Sequence, residues 1–260
     1  MPSLRALDLG IVVIANRKGG VGKTVSAITL ASGLAKIGDK VLAIDGDPQA
    51  NMSLFFLGAG KGPEGLSGML DAITEGRNAK LENFVRKSVR RNLDLLPAGD
   101  STFRFRSEGG ALERSSDDFS RILSEARKRY RWIIIDTSPS HGSLERLLLA
   151  GSEALIVPLE FQRFSVAGLE TLLNDISEFP ARSGRTIRVH ALVFTKAENN
   201  VARVEAYRDV FASYGVPIFE VCKSEYVPKG LERSRTIWEN APGSYAARDY
   251  ATILQKAFIE

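Results

Sequence analysis

The chain has 260 residues, 44% apolar and 25% charged, with 35 basic and 31 acidic side chains, a net charge of +4 and an isoelectric point near 9.2. That balance excludes an intrinsically disordered chain, and one cysteine, Cys222, excludes an internal disulfide and the cysteine pairs that hold iron–sulfur clusters. No apolar run approaches the roughly 20 residues that cross a bilayer, and Met1 to Gly10 lacks a secretory core, so a cytoplasmic protein without stable membrane insertion is expected.

The first apolar run, Ile11 to Ala15, reads as a strand, and Val25 to Ile37 carries apolar residues at helical spacing, with Gly38 placed to end that helix. Between them lies Lys18-Gly19-Gly20-Val21-Gly22-Lys23-Thr24. Strand, glycine loop and helix in this order present backbone N–H groups and a helix N-terminus to one anion, as a phosphate cradle requires. Lys23 then reaches the β- and γ-phosphates, and the Thr24 hydroxyl ligates Mg²⁺. The common phosphate-loop pattern is not met, because Arg17 stands where it needs glycine; a second lysine, Lys18, opens the loop instead.

Lys40 to Ile44 reads as a buried parallel strand delivering Asp45, with Asp47 close behind. Asp45-Gly46-Asp47-Pro48 is also good turn chemistry. Residues 54–91, rich in glycine, read as an excursion from the sheet with short helices at Leu66–Ile73 and Leu81–Val89. Leu93 to Pro97 is the next strand; Arg104, Arg106 and Gly109-Gly110 mark a loop, and Ser116 caps a helix running to about Tyr130. Trp132 to Asp136 is the strongest strand, again ending in a carboxylate. Then follow helix 143–150, strand 154–158, helix 166–178, strand 187–195, helix 201–214, strand 218–221 and a closing helix 244–258. Such βα alternation predicts a doubly wound, mostly parallel sheet with helices on both faces, a P-loop NTPase fold in one domain over residues 1–260.

The loop, the run Val41 to Asn51 and the run Trp132 to Ser140 together resemble the ParA family of partition ATPases, in the deviant-Walker group that also holds MinD and the nitrogenase iron protein. The resemblance implies ATP and Mg²⁺ as cofactors, a nucleotide held by Gly19, Gly20, Val21, Gly22, Lys23, Thr24 and Val25, and Asp47 positioning the attacking water. Asp45 and Asp136 would hold the hydration shell of a Mg²⁺ ligated by Thr24. Lys18, otherwise a solvated loop charge, would reach a nucleotide across an ATP-dependent homodimer. Thr195 and the Val221-Cys222-Lys223 turn would lie near the base, where this chain departs from the family's isoleucine-proline-arginine.

The same resemblance implies non-specific DNA binding through Arg203, Lys223, Arg233 and Arg235, with Lys196 and Arg208 as further candidates. It also implies a nucleoid-associated location and a ParB-like or other adaptor that stimulates hydrolysis. About ten residues precede the first strand, so the small type without a helix-turn-helix extension is expected. His141 stands where the family usually has leucine and reads as a surface or interface residue; His190 reads as packing. A MinD-like membrane switch needs a basic amphipathic tail, whereas Tyr250 to Glu260 has one lysine and ends acidic. An ATP-dependent ligase or carrier on the same fold needs a substrate site or cysteine pairs that the sequence does not display.

Overall fold

The structure is a computed structural model that describes residues 2–59, 64–99, 102, 105, 115–140, 142–160, 171, 187–197 and 215–260. Apart from residues 105 and 171, the expected helices at 166–178 and 201–214, the loop at 104–110, and His141, Arg203 and Arg208 lie outside the described residues.

Eight strands form one sheet: β1 (Ile11–Ile14), β2 (Val41–Gly46), β3 (Arg86–Arg90), β4 (Leu93–Leu96), β5 (Trp132–Thr137), β6 (Ala154–Leu159), β7 (Arg188–Ala197) and β8 (Ile218–Cys222). Their spatial order is β3-β4-β2-β5-β1-β6-β7-β8, parallel throughout except for β3. β1 is therefore central, and the loop that follows it opens at the carboxyl ends of the strands, where sheets of this kind bind ligands.

The central strands are apolar on both faces because helices cover both. Val12 and Ile14 of β1, Val41 and Ala43 of β2, and Trp132 and Ile134 of β5 join one core with α1 (Lys23–Lys36) and the C-terminal helix. Ile11 and Val13, Leu42 and Ile44, and Ile133 and Ile135 alternate onto the other face. There they meet α3 (Gly65–Thr74), α4 (Ser116–Ala126) and α5 (Ser143–Ala150). α2 (Asn51–Leu57) follows β2 directly. Trp132 packs edge-on against Phe258 at 5.1 Å, and its indole N–H donates to Asp39 at 2.9 Å.

Most expected elements are present within a residue or two, and four points differ. β2 extends through Asp45 to Gly46, so Asp45 is a strand residue paired across to Asp136 rather than a residue beyond the strand end. The segment 81–89 is not a helix: it makes one short 3-10 turn, Leu81–Asn83, and then edge strand β3, antiparallel to β4. Leu81, Val85 and Val89 fall four apart and imitate a helical stripe, but the open edge of β4 supplies backbone partners that a local helix cannot. Two short helices, α6 (Tyr226–Glu232) and α7 (Ile237–Asn240), lie between strand 218–221 and the closing helix, where the sequence pattern assigns no element. The last helix, α8 (Tyr245–Ile253), is capped by the Ser244 hydroxyl, which accepts from Ala247 N, and closes in a wider π-type turn, Leu254–Ile259.

Gly46 marks the tightest junction, because a Cβ there would lie 2.7 Å from the Asp136 carbonyl oxygen and would run into Leu148 of α5. Backbone on one side and a packed helix on the other leave little room to relax. Gly46→Ala is expected to lower unfolding stability by ~1–3 kcal/mol in urea denaturation. Gly243→Ala, whose added carbon meets nothing within 4 Å, is the matched control and should stay within ~0.5 kcal/mol of the parent.

Candidate functional site

The loop after β1 is shaped by two left-handed glycines, Gly20 (φ 76°) and Gly22 (φ 84°), the second opening directly into α1. α1 has no acidic residue in its first turn, so the positive end of its dipole is not compensated from within the helix. Gly19 and Gly20 are exposed, Val21 is buried, and Thr24 and Val25 are half-buried at the first turn.

Neighbouring strands brace this loop. The Asn16 amide donates to Pro158 O at 2.6 Å and accepts from Lys18 N at 2.9 Å. The Thr195 hydroxyl, at the end of β7, donates to Val21 O at 2.9 Å with Leu159 O at 3.2 Å, and its methyl group would sit 3.4 Å from a Cβ on Gly22. Thr195 thus packs the loop from below. Lys196 donates to Gly20 O at 2.8 Å and pairs with Glu160 at 2.7 Å, so it faces the loop rather than a remote surface. Lys18 Nζ lies 3.6 Å from the same Glu160 carboxylate.

Lys23 is buried, and its ammonium donates to Lys18 O at 3.0 Å. Burial lowers its pKa from the usual lysine value, while Asp136, Asp47 and Glu145 oppose that drop. These three acids come from β5, the turn after β2, and α5, so three separate elements converge on one amine.

The acids differ in how they are held. Asp45 accepts Ser53 N at 2.7 Å, Ser53 Oγ at 2.6 Å and Asp47 N at 3.2 Å, so the first turn of α2 is tied to it. Burial nevertheless pushes its pKa up to about 6, the Ser53 bonds opposing. Asp47 accepts Gln49 N at 2.9 Å. Asp136 is wholly buried, and neither of its oxygens has a hydrogen-bond partner. Burial, with Asp45 and then Asp47 adding to it, holds Asp136 well above the usual carboxylate range, and Thr24 and Lys23 oppose the rise. A buried carboxylate with both oxygens unpartnered is a strong acceptor in want of a cation. Among the described residues no three His, Cys, Asp or Glu side chains form a metal cage. This donor set fits Mg²⁺, which keeps its waters and takes one or two carboxylates plus substrate phosphates.

Sequence reasoning missed Glu145. It stands in the first turn of α5, where an acid ordinarily complements the helix dipole in solvent, yet it is buried. Its Oε1 accepts from Ser138 Oγ, and its Oε2 has no partner. Only the packing of α5 over the ends of β2 and β5 turns it inward, and no spacing in the sequence signals that.

The structure does not bring every candidate to this place. Lys223 is exposed just past β8, its backbone N–H bonded to Ala197 O. Arg233 and Arg235 are exposed between α6 and α7, away from the loop. His190 is buried, with Nε2 3.0 Å from Ala257 O.

Residues 9–189 match the model of a family described as an AAA domain. The chromosome partitioning protein ParA of Caulobacter vibrioides is 30% identical over 220 residues, covering 84% of this chain and 81% of that protein. The chain belongs to the ParA family. The chromosome-partitioning ATPase Soj of Treponema pallidum is 29% identical over 245 residues, 91% of this chain and 90% of that one. Among solved structures, a plasmid partition protein of Borrelia burgdorferi B31 bound to AMPPNP superposes with a TM-score of 0.79 at 24% identity, covering 95% of this chain and 97% of that one. The eight-stranded, mostly parallel sheet of this chain thus has the P-loop NTPase fold of the ParA type.

In this ParA-family chain the carboxylates impose a pH signature on folding. A carboxyl group whose folded pKa lies above its unfolded value costs stability when ionised, so the cost is present above the folded pKa and vanishes below the unfolded one. For Asp45 that window runs from about 6 down to 3.8. The stability of the nucleotide-free protein relative to Asp45→Asn is expected to rise as the pH falls through this window, by up to ~3 kcal/mol. Paired urea titrations check it, and a difference independent of pH would count against the assignment.

Proposed function

We propose that this protein is an ATP-dependent switch: an ATPase that dimerises on ATP, associates with non-specific DNA and partitions or positions a plasmid, a chromosome or another cargo. The observation that carries the reading is the buried amine of Lys23 parked on Lys18 O beside the unpartnered Asp136 carboxylate. A cation and an anion are thereby held where a metal-bound polyphosphate would satisfy both.

With nucleotide in the loop, Lys23 leaves the Lys18 carbonyl for the β- and γ-phosphates, and the N–H groups of Gly19 to Val25 surround the remaining phosphate oxygens. Thr24 would ligate Mg²⁺, and Asp45 and Asp136 would hold its hydration shell; the ion would supply neutralisation of the charge that builds on the transferring phosphoryl group. Asp47 orients the attacking water in line with the γ-phosphorus. The products are ADP and phosphate.

Lys18 gives the switch its second subunit. It leaves Glu160 to reach the nucleotide of the other copy, so that the dimer persists while ATP does. Residues 1–260 act as one unit, with Thr195 and Lys223 at the base end. Arg203, Lys223, Arg233 and Arg235 take the DNA backbone, and a ParB-like or other adaptor accelerates hydrolysis and release.

The decisive test is binding of long non-specific duplex DNA with ATP, ADP or no nucleotide across a salt series. Binding only with ATP, weakening steeply with salt and falling at least tenfold in Arg233→Glu/Arg235→Glu, is expected. Lys18→Ala should still bind ATP yet sediment as a monomer with it. Equal duplex binding in all three nucleotide states, or none in any, overturns the reading.

A further inference from the structure

Several exposed cations outside the loop are neutralised: Arg5 by Asp39, Arg77 by Glu75, Arg121 by Asp118, Lys128 by Glu125, Lys229 by Glu225. Others carry no ion pair among the described residues, and Lys36, Lys40, Arg91, Arg233 and Arg235, all exposed, are five of these.

These five, distant in sequence, are adjoining in the fold. Arg91 lies in the two-residue turn joining β3 to β4, and the next residue, Asn92, donates its side-chain amide to Ala35 O at 3.2 Å, which seats the turn against the last turn of α1 beside Lys36. Asn92 O in turn accepts Val41 N at 2.9 Å, next to Lys40. From the same hairpin Arg90 reaches sideways, donating to Ser234 O at 2.8 Å and pairing with Glu239 at 3.0 Å. Arg90 spends its charge on that clamp, and the clamp holds the Arg233–Arg235 loop against the hairpin.

The loop itself is stiff. Arg233 N and Arg235 N both donate to Gly230 O, and Trp238 Nε1 anchors α7 to Thr29 O of α1 at 2.9 Å. The acids nearby are largely occupied: Asp39 by Arg5 and Trp132, Glu239 by Arg90. Glu232 stands exposed among them.

We propose that Lys36, Lys40 and Arg91 extend the Arg233–Arg235 surface across the edge hairpin into one cationic face that takes the phosphate backbone of duplex DNA. The proposal rests on the DNA-binding reading above and adds residues from the first half of the chain to it. Unpaired cations on a braced backbone suit a partner recognised by regularly spaced phosphates, since each one that meets a phosphate releases condensed counterions without first breaking an ion pair. Ile37 is exposed beside Lys36, but a single apolar side chain is a poor interfacial anchor, and that favours DNA over a lipid surface. Lys40 and Arg91 stand at the starts of β2 and β4, the end of the sheet opposite the phosphate loop. DNA on this face leaves the nucleotide end open to a second subunit.

The test compares the parent, Lys36→Gln/Lys40→Gln/Arg91→Gln and Arg233→Gln/Arg235→Gln, all ATP-saturated, on non-specific duplex across a salt series. Arg77→Gln/Arg121→Gln is the control for general charge loss. The triple variant is expected to bind at least tenfold more weakly at low salt, with a log–log salt slope shallower by about 2–3. Its melting temperature and basal ATP hydrolysis should match the parent. A triple variant with parental affinity and slope, while Arg233→Gln/Arg235→Gln weakens binding, overturns this inference and leaves the DNA reading standing. A parent that binds no duplex in any nucleotide state overturns both. Loss by the triple variant of binding to phosphatidylglycerol vesicles, with duplex binding intact, also overturns it and assigns the face to lipid.

Discussion

Two carboxylates in register on neighbouring parallel strands, Asp45 of β2 opposite Asp136 of β5, set the terms for the rest of the structure. Burying one ionised carboxylate is costly, and burying a second beside it adds like-charge repulsion. A sheet tolerates this only if the strands that deliver the pair are strongly held. Here β1, β2, β5 and β6 are buried along their whole lengths, with helices on both faces. The local response is unequal: Asp45 is absorbed into the first turn of α2 through Ser53, whereas Asp136 is left with Lys23 as its nearest cation. The molecule therefore carries a standing electrostatic deficit at the carboxyl end of its sheet, and a divalent cation with a polyphosphate is the kind of ligand that removes it.

Around that deficit the chain divides its labour by position along the strands. The carboxyl ends carry acids and the glycine loop, braced by Asn16, Thr195 and Lys196. The amino ends of β2 and β4, with the hairpin turn and the end of α1, carry unpaired bases. α1 runs between the two, starting at the loop and ending beside Lys36 and the Asn92 contact. Since α1 also holds Trp238 through Thr29 O, the α6–α7 segment is attached to the same rod as the phosphate loop.

Much of this was legible in the sequence, for physical reasons that differ by element. The central strands announce themselves because a strand buried on both faces must be a short unbroken apolar run, and Val41–Ile44 and Trp132–Ile135 are. The loop was legible because few residue types can turn a backbone onto an anion. The edge was not: Leu81, Val85 and Val89 carry a helical spacing, and only the unpaired side of β4 makes 86–90 a strand. Glu145 was not legible either, since a first-turn acid looks the same in sequence whether it faces water or a buried amine. The clamp made by Arg90 depends on two segments 144 residues apart and has no local signature.

The contact between Lys23 Nζ and Lys18 O ties the loop's opening residue to the start of α1. A glycine-rich segment without such a tie would sample many conformations, and ordering it would be charged against the affinity of whatever binds. With the ammonium group already bridging the loop's opening residue to the start of α1, ligand entry becomes an exchange of acceptors at one nitrogen, from a carbonyl to a phosphate. Departure reverses the exchange. A loop tied in this way does not have to be ordered by its ligand, so what a phosphate changes there is charge rather than folding.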